Sequence, residues 1–358
     1  MVALHATDPA CVFLSVHART PAVDVPAVEH ALYDERSLFR MLGMRRTMFV
    51  VPTGQAPVIQ AACANAIAQA QRSTYADLLV KAGVGDETWL KEVEESTFVA
   101  LRRRGRAAAS DLSADEPRLR IQITLAEGKS YESRQTITTW VLLLLAAEGR
   151  IGRGRPRNGS WKSSQWIWEP IQAWFPGGMD DVPADVGRAE LVRLWLATFG
   201  PGTVADLRWW TGWTAGLVKG ALAAIGAVEV DLDGEVGYVL ADDVEPVDEP
   251  EPWVALLPAL DPTPMGWSRR EFYLGRHAPA LFDRGGNVAP TVWSDGRIIG
   301  GWGQRANGEI VWRLLEDVGK ETETAVATEA ARLAAWLGPV RLAPRTRLRP
   351  PLERELVS

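Results

Sequence analysis

The chain has 358 residues, 47% of them hydrophobic, which is enough to bury a sizeable core and suggests two to four domains. Its formal net charge of −6 at pH 7 argues against a protein that coats nucleic acid over its whole surface, but it is compatible with a local basic groove. Cys11 and Cys63 form neither a zinc pattern nor a disulfide framework, which is typical of a reducing cytoplasm. No apolar stretch is long enough to span a bilayer and no signal peptide opens the chain, so we expect no membrane contact.

The first 60 residues predict an incomplete module. Apolar periodicity predicts helices over 8–18 and 26–41, and a strand follows over 46–51. This is the order of a helix–helix–helix–hairpin module without its first helix. We therefore expect either that the true start codon lies upstream or that the first module, residues 1–60, is incomplete.

A second module is predicted over residues 85–170. Its three helices are expected over 86–102, 107–116 and 136–148. Two strands follow, at 151–161 and 165–168, around a turn that is rich in glycine and arginine. This hairpin is expected to form a basic wing.

The clearest module lies at residues 185–243. Its three helices are predicted over 190–199, 204–210 and 214–225. Gly200-Pro201-Gly202 ends the first helix, because glycine permits a positive φ and proline cannot continue a helix. Alternating residues on both sides of Asp233-Gly234 predict a hairpin over 228–240. Three helices followed by a hairpin form a winged helix, a module that usually holds a nucleic-acid duplex.

The character of the chain changes after this module. Residues 242–252 are acidic and rich in proline, which is typical of a linker. Short β-branched runs between Asn-Gly and Asp-Gly turns predict a small antiparallel sheet or barrel over 252–320. An amphipathic helix is predicted over 322–337, within a C-terminal segment 321–358. The sequence therefore predicts an α+β fold in which tandem winged-helix modules precede a barrel-like β domain.

Basic residues cluster in the predicted wing and are candidate DNA contacts. The candidates are Arg150, Arg153, Arg155, Arg157 and Lys162, together with Lys219 on the third helix of the 185–243 module. Because side chains alternate along a strand, the arginines at 153, 155 and 157 are expected on one side of the wing, against the phosphates of double-stranded DNA. The alternative is that they are solvated turn charges.

Five segments, taken in chain order, resemble signatures of one bacterial protein family. They are LHATDPACVFLSVHAR, ALYDERSLFRMLGMRRTMFVVP, GRIGRGRPRNGSWKSSQWIWEP, FGPGTVADLRWWTGW and GNVAPTVWSDGRIIGGWGQR. The family comprises winged-helix DNA-binding proteins and includes DNA glycosylases of the azinomycin-resistance type, which act on bulky alkylpurines and interstrand crosslinks. The resemblance implies tandem winged helices followed by a small β-barrel, arranged as a C-shaped clamp on double-stranded DNA.

The resemblance also implies the position of a catalytic tripeptide. In the characterised glycosylases this is glutamine, an apolar residue, then glutamine or aspartate. The matching positions here are His5, Ala6 and Thr7, so neither catalytic position keeps the residue of the family. The family usually has about a helix's worth of sequence ahead of the tripeptide, which this chain lacks.

The substituted tripeptide allows two interpretations. Excision of a cationic N-alkylpurine needs little help for the leaving group, because the positive charge of the lesion weakens the glycosidic bond. His5 would accept the proton of the attacking water, Thr7 would hold that water, and Asp8 would orient His5 or stabilise the developing cation. The alternative is that Asp8 with Pro9 caps a helix and His5 is a packing residue at a chain end.

Two functions of different class therefore follow from the sequence. The first is a glycosylase for DNA repair or self-resistance that scans duplex DNA and hydrolyses an alkylated purine. The second is a non-catalytic winged-helix protein that binds DNA as a regulator or lesion sensor. The substituted tripeptide favours the second, and the resemblance along nearly the whole chain favours the first. In both cases we expect a cytoplasmic, nucleoid-associated protein without cofactor, metal site or obligatory protein partner.

Overall fold

The computed structural model describes residues 2–20, 22–129, 132–342 and 349–358. Helices and strands are mixed along the chain, so the predicted α+β class is confirmed. The chain forms two compact units: Glu29–Leu191, here called the central unit, and Met1–Val28 with Val192–Ser358, here called the terminal unit. Among the described residues, no helix is long and apolar enough to cross a membrane.

The terminal unit begins with the short strand β1 (Leu4–His5) and the helix α1 (Pro9–Arg19). Asp8 caps α1, since its Oδ1 accepts a hydrogen bond from the backbone N–H of Ala10 at 3.0 Å. The helix buries Val12 and Phe13 almost completely. The helix predicted over 8–18 is therefore confirmed to within one residue.

A hairpin stands where the sequence predicted the end of a helix over 26–41. Instead, α2 (Val25–Glu29) continues as a π-helical turn to Asp34, and β2 (Leu38–Gly43) then pairs antiparallel with β3 (Thr47–Pro52). The predicted helix is wrong beyond Asp34. Because β2 is buried on both faces, its sequence LFRMLG shows no alternation of apolar and polar residues that would separate a strand from a helix.

The rest of the central unit contains the helices and the wing hairpin predicted for 85–170. Its elements are α3 (Ala56–Ile59), α4 (Asn65–Lys81), α5 (Glu87–Arg104), β4 (Ala107–Ala108), α6 (Ala109–Asp115), β5 (Gln122–Leu125), β6 (Ser133–Thr136), α7 (Ile137–Ala147), β7 (Ile151–Pro156) and β8 (Trp166–Pro170). The elements α3, α4 and the β5–β6 hairpin were not predicted from the sequence. The strand β4, which joins the wing in a sheet of order β4-β8-β7, was not predicted either.

The core of the central unit is built around α7. Trp140 of this helix is fully buried and stacks on Tyr75 of α4 with ring centroids 4.6 Å apart. Leu144 and Leu145 are fully buried beside it, and Leu90 and Leu101 of α5 belong to the same cluster. The apolar run TWVLLLLAA is thus a core helix, as its length predicted.

The three helices and the hairpin predicted for 185–243 are all present. They are α8 (Ala184–Phe199), α9 (Val204–Thr211), α10 (Ala215–Ala224), β9 (Val228–Leu232) and β10 (Glu235–Val239). Asp233 and Gly234 both have positive φ, 53° and 87°, as a two-residue type I′ turn between antiparallel strands requires. Thr203 and Asp206 form the capping box of α9.

An open sheet with helices follows the acidic segment. The elements are β11 (Val254–Leu257), α11 (Glu271–Leu274), α12 (Ala278–Leu281), β12 (Thr291–Ser294), β13 (Arg297–Gln304), β14 (Ile310–Leu314), α13 (Gly319–Leu337) and α14 (Pro351–Val357). The sheet has the order β11-β12-β13-β14, so the described strands form no closed barrel and the barrel prediction is wrong. Four short strands are too few to close, and α13 packs against both edge strands instead.

Candidate nucleic-acid interface

The wing strand β7 alternates glycine and arginine for a steric reason. Gly152 lies against the ring of Trp174 and Gly154 against Glu169, where a Cβ atom would come within 2.6 and 2.4 Å of these side chains. The glycines therefore face inward, and Arg153 and Arg155 share the less buried face of the strand.

Arg153 stays close to the protein. Its guanidinium lies 4.6 Å from the ring centroid of Trp168, which is a cation–π contact. Burial, with the charge of Arg40, lowers the pKa of Arg153 to about 9. Arg153 is therefore packed into the wing more than it is presented to a partner.

Arg155 and Arg150 are paired within the central unit. Arg155 forms salt bridges with Glu29 and Asp34, both at 3.1 Å. Arg150 pairs with Glu95 at 2.5 Å and lies 4.2 Å from the ring centroid of Phe98. These carboxylates offset much of the positive charge that the sequence assigned to the wing.

The remaining candidates differ in exposure. Arg157, just after β7, is exposed and donates a hydrogen bond to the hydroxyl of Ser110 at 3.2 Å. Lys162 is half-buried in the wing turn. Lys219 is exposed on α10, whereas Val218 and Leu222 of the same helix are buried.

A groove of about 810 Å³ runs beside the wing, between α6, the start of α7 and β8. Three arginines line it, together with hydroxyl, amide and indole side chains. The polar and aromatic lining residues are Arg120, Arg153, Arg157, Ser110, Ser113, Ser164, Thr136, Thr138, Thr139, Gln122, Gln165, Trp166 and Trp168. Among the described residues that line the groove, none has a carboxylate.

Sequence patterns predict only part of this groove. They predict Arg153 and Arg157, but not Arg120, Ser110 and Thr139, which are exposed at the groove. Arg120 ends a short 3-10 helix and Thr139 lies in the first turn of α7. Neither position has a sequence pattern of its own, because only the packing of the 3-10 helix against α6 and α7 brings them together.

The residues of the tripeptide region lie in the terminal unit at the start of α1. His5 ends β1, Thr7 follows in the connection, and Asp8 is the N-cap of α1; all three are half-buried. The capping interpretation of Asp8 is confirmed by its bond to Ala10. That bond uses Oδ1 of the carboxylate.

Asp8 also lines a cavity of about 150 Å³ in the terminal unit. Trp302 of β13 and Glu353 of α14 line other parts of the cavity wall. Burial raises the pKa of Glu353, so this side chain favours its neutral form more than a solvated glutamate does. The cavity is therefore partly apolar and partly acidic, next to the residue that follows the tripeptide.

The far end of α1 is fixed by a buried carboxylate. Asp261 has no exposed surface, and its two oxygens accept hydrogen bonds from Arg19 at 2.7 and 2.8 Å. It also accepts a hydrogen bond from the hydroxyl of Ser15 at 2.8 Å. This bidentate pair holds α1, and with it the residues at its N-terminus, in one orientation.

The described residues contain no group of three or more histidine, cysteine or acidic side chains that could hold a metal ion. The side chains of His5, Thr7 and Asp8 at the start of α1 are an imidazole, a hydroxyl and a carboxylate. These groups can accept a proton, hold a water molecule and stabilise a developing positive charge.

Comparisons with known proteins bear on this arrangement. A model of the AlkZ-like DNA glycosylase family matches residues 1–336. Among solved structures, the Streptomyces sahachiroi DNA glycosylase AlkZ is similar with a TM-score of 0.70 and 21% identity, covering 96% of this chain and 90% of that one. At this identity the likeness shows the fold alone. The comparison with curated protein sequences gave no match.

Proposed function

Because the chain belongs to the AlkZ-like DNA glycosylase family, we propose that it binds duplex DNA and hydrolyses the N-glycosidic bond of a bulky alkylated or crosslinked purine. The observation that carries the DNA-binding part is the groove of the central unit, where arginines and hydroxyl groups line about 810 Å³. Guanidinium and hydroxyl groups are the usual donors to phosphate oxygens, so the groove suits one strand of the duplex backbone. A protein with this activity works at the nucleoid.

We further propose that the two helix–helix–helix–hairpin series are winged helices over about 85–170 and 185–243. Support comes from the order α5, α6, α7 and β7–β8, repeated as α8, α9, α10 and β9–β10. In such modules the third helix enters the major groove. Exposed Thr139, in the first turn of α7, and exposed Lys219 of α10 are then candidate DNA contacts. The segments 252–320 and 321–358 follow these modules along the chain, and the C-shaped clamp stays a prediction.

The proposed reaction uses His5, Thr7 and Asp8. Thr7 holds a water molecule. As the oxygen of this water bonds to C1′ of the deoxyribose, His5 takes a proton from the water. The C1′–N bond breaks, and its electron pair moves to the ring nitrogen of the alkylated purine, which leaves neutral. Asp8, through the oxygen not used in capping, stabilises the oxocarbenium-like charge at C1′. The product is an abasic site.

The test is to incubate the full-length protein with a panel of alkylated and crosslinked duplexes and to quantify abasic sites. An undamaged duplex of the same sequence is the control. Abasic product on a damaged duplex alone supports the proposal. Protein that binds every duplex tightly but forms no abasic product contradicts the catalytic part.

A second candidate function is a non-catalytic DNA-binding regulator or lesion sensor. The observation that favours it is the tripeptide, because His5 and Thr7 stand where the resemblance implies glutamine and glutamine or aspartate. Asp8 is moreover engaged in capping α1. A regulator is distinguished by preference for one undamaged sequence, and a sensor by preference for damaged duplex without excision.

A further inference from the structure

An exposed aromatic side chain lies on the terminal unit. Phe272, in α11, is 66% exposed, and among the described large hydrophobic side chains only Val247 is more exposed. A solvent-exposed phenylalanine is unfavourable by itself, because its apolar ring area stays in contact with water. A single exposed side chain needs no explanation, so the surroundings of Phe272 decide whether it has a role.

The ring of Phe272 stands on a rigid aromatic base. It makes edge-to-face contacts with Trp267 and Tyr273, with ring centroids 5.3 and 4.8 Å apart and planes nearly perpendicular. Tyr273 is buried and donates its hydroxyl hydrogen to the carbonyl of Pro264 at 3.0 Å. The indole N–H of Trp267 donates to the carbonyl of Phe199 at 3.0 Å. The exposed ring is thus held in one position.

The same loop is fixed to α9 by polar contacts. Asp206, in the capping box of α9, accepts hydrogen bonds from the backbone N–H groups of Ser268 and Arg269 at 2.9 and 3.1 Å. The guanidinium of Arg270 lies between the rings of Trp209 and Phe282, 4.7 and 4.6 Å from their centroids. The exposed ring therefore belongs to a loop that is built onto the second helix of the 185–243 module.

The charge around Phe272 suits a polyanion. Residues 268–276 read Ser-Arg-Arg-Glu-Phe-Tyr-Leu-Gly-Arg, with three arginines and one glutamate. Arg269 and Arg276 are exposed, although Arg269 also pairs with Glu235. Apolar side chains that DNA-binding proteins insert between base pairs are commonly Phe, Leu, Ile, Met or Pro, and neighbouring cations hold the backbone.

We propose that Phe272 is a wedge that stacks against, or inserts between, base pairs of duplex DNA while Arg269 and Arg276 contact the flanking phosphates. This inference rests on the proposed DNA binding and adds the element that distorts the duplex. Local unstacking lets the protein test the base pairs without a deep base-flipping pocket. Stacking gives little sequence preference, because every base has a π face.

The experiment measures binding and unstacking together. Full-length protein is titrated into short duplexes that carry 2-aminopurine at successive positions, whose fluorescence rises when the base is unstacked. The parent is expected to raise the fluorescence at one or two adjacent positions. Phe272→Ala is expected to lose this rise and to weaken duplex affinity by about 5- to 150-fold, the scale of one aromatic–base stacking contact. Phe272→Trp is expected to keep both the fluorescence rise and the duplex affinity of the parent.

The matched control is Val247→Ala, which removes an exposed apolar side chain from the acidic segment and should change neither readout. Equal fluorescence and affinity for the parent and Phe272→Ala would overturn the wedge while leaving DNA binding intact. Loss of self-association in Phe272→Ala, with unchanged DNA signals, would overturn it in favour of a contact between two copies of the chain. A parent that binds no duplex would overturn both the wedge and the proposed function.

Discussion

His5 is the residue on which the proposed reaction depends most. His5→Ala is expected to lower the rate of excision by about 100-fold or more, the usual scale for a general base, with duplex affinity nearly unchanged. Thr7→Ala should lower the rate of excision less, because Thr7 only holds the water molecule.

These rates are measured on one alkylated duplex. His30→Ala is the matched control, because it also removes a histidine, one that lies outside the proposed catalytic residues. His30 is exposed in the central unit, 3.5 Å from Asp34. Equal rates for the parent and His5→Ala would remove His5 from the mechanism.

Arg157 and Arg120 are the exposed arginines of the groove, so they are the most available for contacts with DNA phosphates. From the sequence alone, Arg153, Arg155 and Arg157 had equal weight, but Arg153 packs on Trp168 and Arg155 is paired with Glu29. Replacing Arg120 and Arg157 with alanine should weaken binding to all duplex sequences alike. It should also lower the slope of log K against log salt by up to about 0.9 per lost phosphate contact.

The control for this pair is Arg155→Ala. Because Glu29 and Asp34 already offset its charge, this variant should change the salt slope less than the double variant does. If Arg155→Ala changed the salt slope more than the double variant does, the main DNA contact would instead be the face of β7 that carries Arg155.

At the scale of elements, the structure shows where sequence patterns suffice. The 185–243 helices and hairpin were predictable because Pro201 cannot continue a helix and Asp233-Gly234 adopts the positive φ of a tight turn. The strand β2 was not predictable, because a strand buried on both faces shows no alternation of apolar and polar residues. The family resemblance is confirmed by the match over residues 1–336, but the barrel that it implied is an open sheet.

The anchoring of α1 illustrates what a turn pattern leaves out. Asp261 and Asp283 both occur in turn contexts, and both accept backbone N–H groups locally. Only the structure shows that Asp261 also binds Arg19 and Ser15, across more than 240 residues of sequence. Sequence patterns are local and do not contain such a contact.

Asp261→Ala should therefore be strongly destabilising. Removing one partner of a buried ion pair leaves the guanidinium of Arg19 without its counter-charge, and we expect a loss of about 3–5 kcal/mol in the free energy of unfolding. The control is Asp283→Ala, which removes only turn contacts and should cost about 1 kcal/mol. Urea unfolding of both variants checks this; equal losses would show that the Arg19 contact contributes little.

Glu116 should make the stability of the central unit sensitive to acid. A hydrogen bond from Arg118 is the main cause that lowers the pKa of Glu116 from 4.5 to about 2. A carboxyl with a depressed pKa stabilises the folded state fully above its unfolded value, and that stabilisation is lost as the pH falls from about 4.5 to about 2. At about 1.4 kcal/mol per pKa unit, the contribution is at most about 3.5 kcal/mol.

The stability difference between the parent and Glu116→Gln should accordingly be constant above about pH 5 and shrink below it. Glu92→Gln is the control, since Glu92 is largely exposed and lies 3.8 Å from the same arginine. A difference that stays the same down to pH 2 would contradict the assignment to Glu116.

At the scale of the whole molecule, chain order and spatial order differ. The sequence suggests modules one after another, whereas the structure groups Met1–Val28 with Val192–Ser358 and leaves Glu29–Leu191 as a separate compact unit. No local pattern could predict this, because it depends on α1 finding partners such as Asp261 far along the chain. The candidate catalytic residues therefore belong to a unit that is built from both ends of the chain.

This grouping predicts how fragments of the protein fold. Residues 29–183 contain the fully buried cluster around Trp140 together with the groove, so this fragment should unfold cooperatively and keep salt-dependent duplex binding. Residues 184–358 lack α1, whose Phe13 is buried and whose Arg19 pairs with buried Asp261, so alone they should bind a hydrophobic dye and unfold without a sharp transition. Co-expression with residues 1–28 should restore cooperative unfolding, because it returns both the apolar surface and the counter-charge. Cooperative folding of 184–358 alone, measured by calorimetry, would show that α1 is dispensable and that the predicted modules fold in chain order.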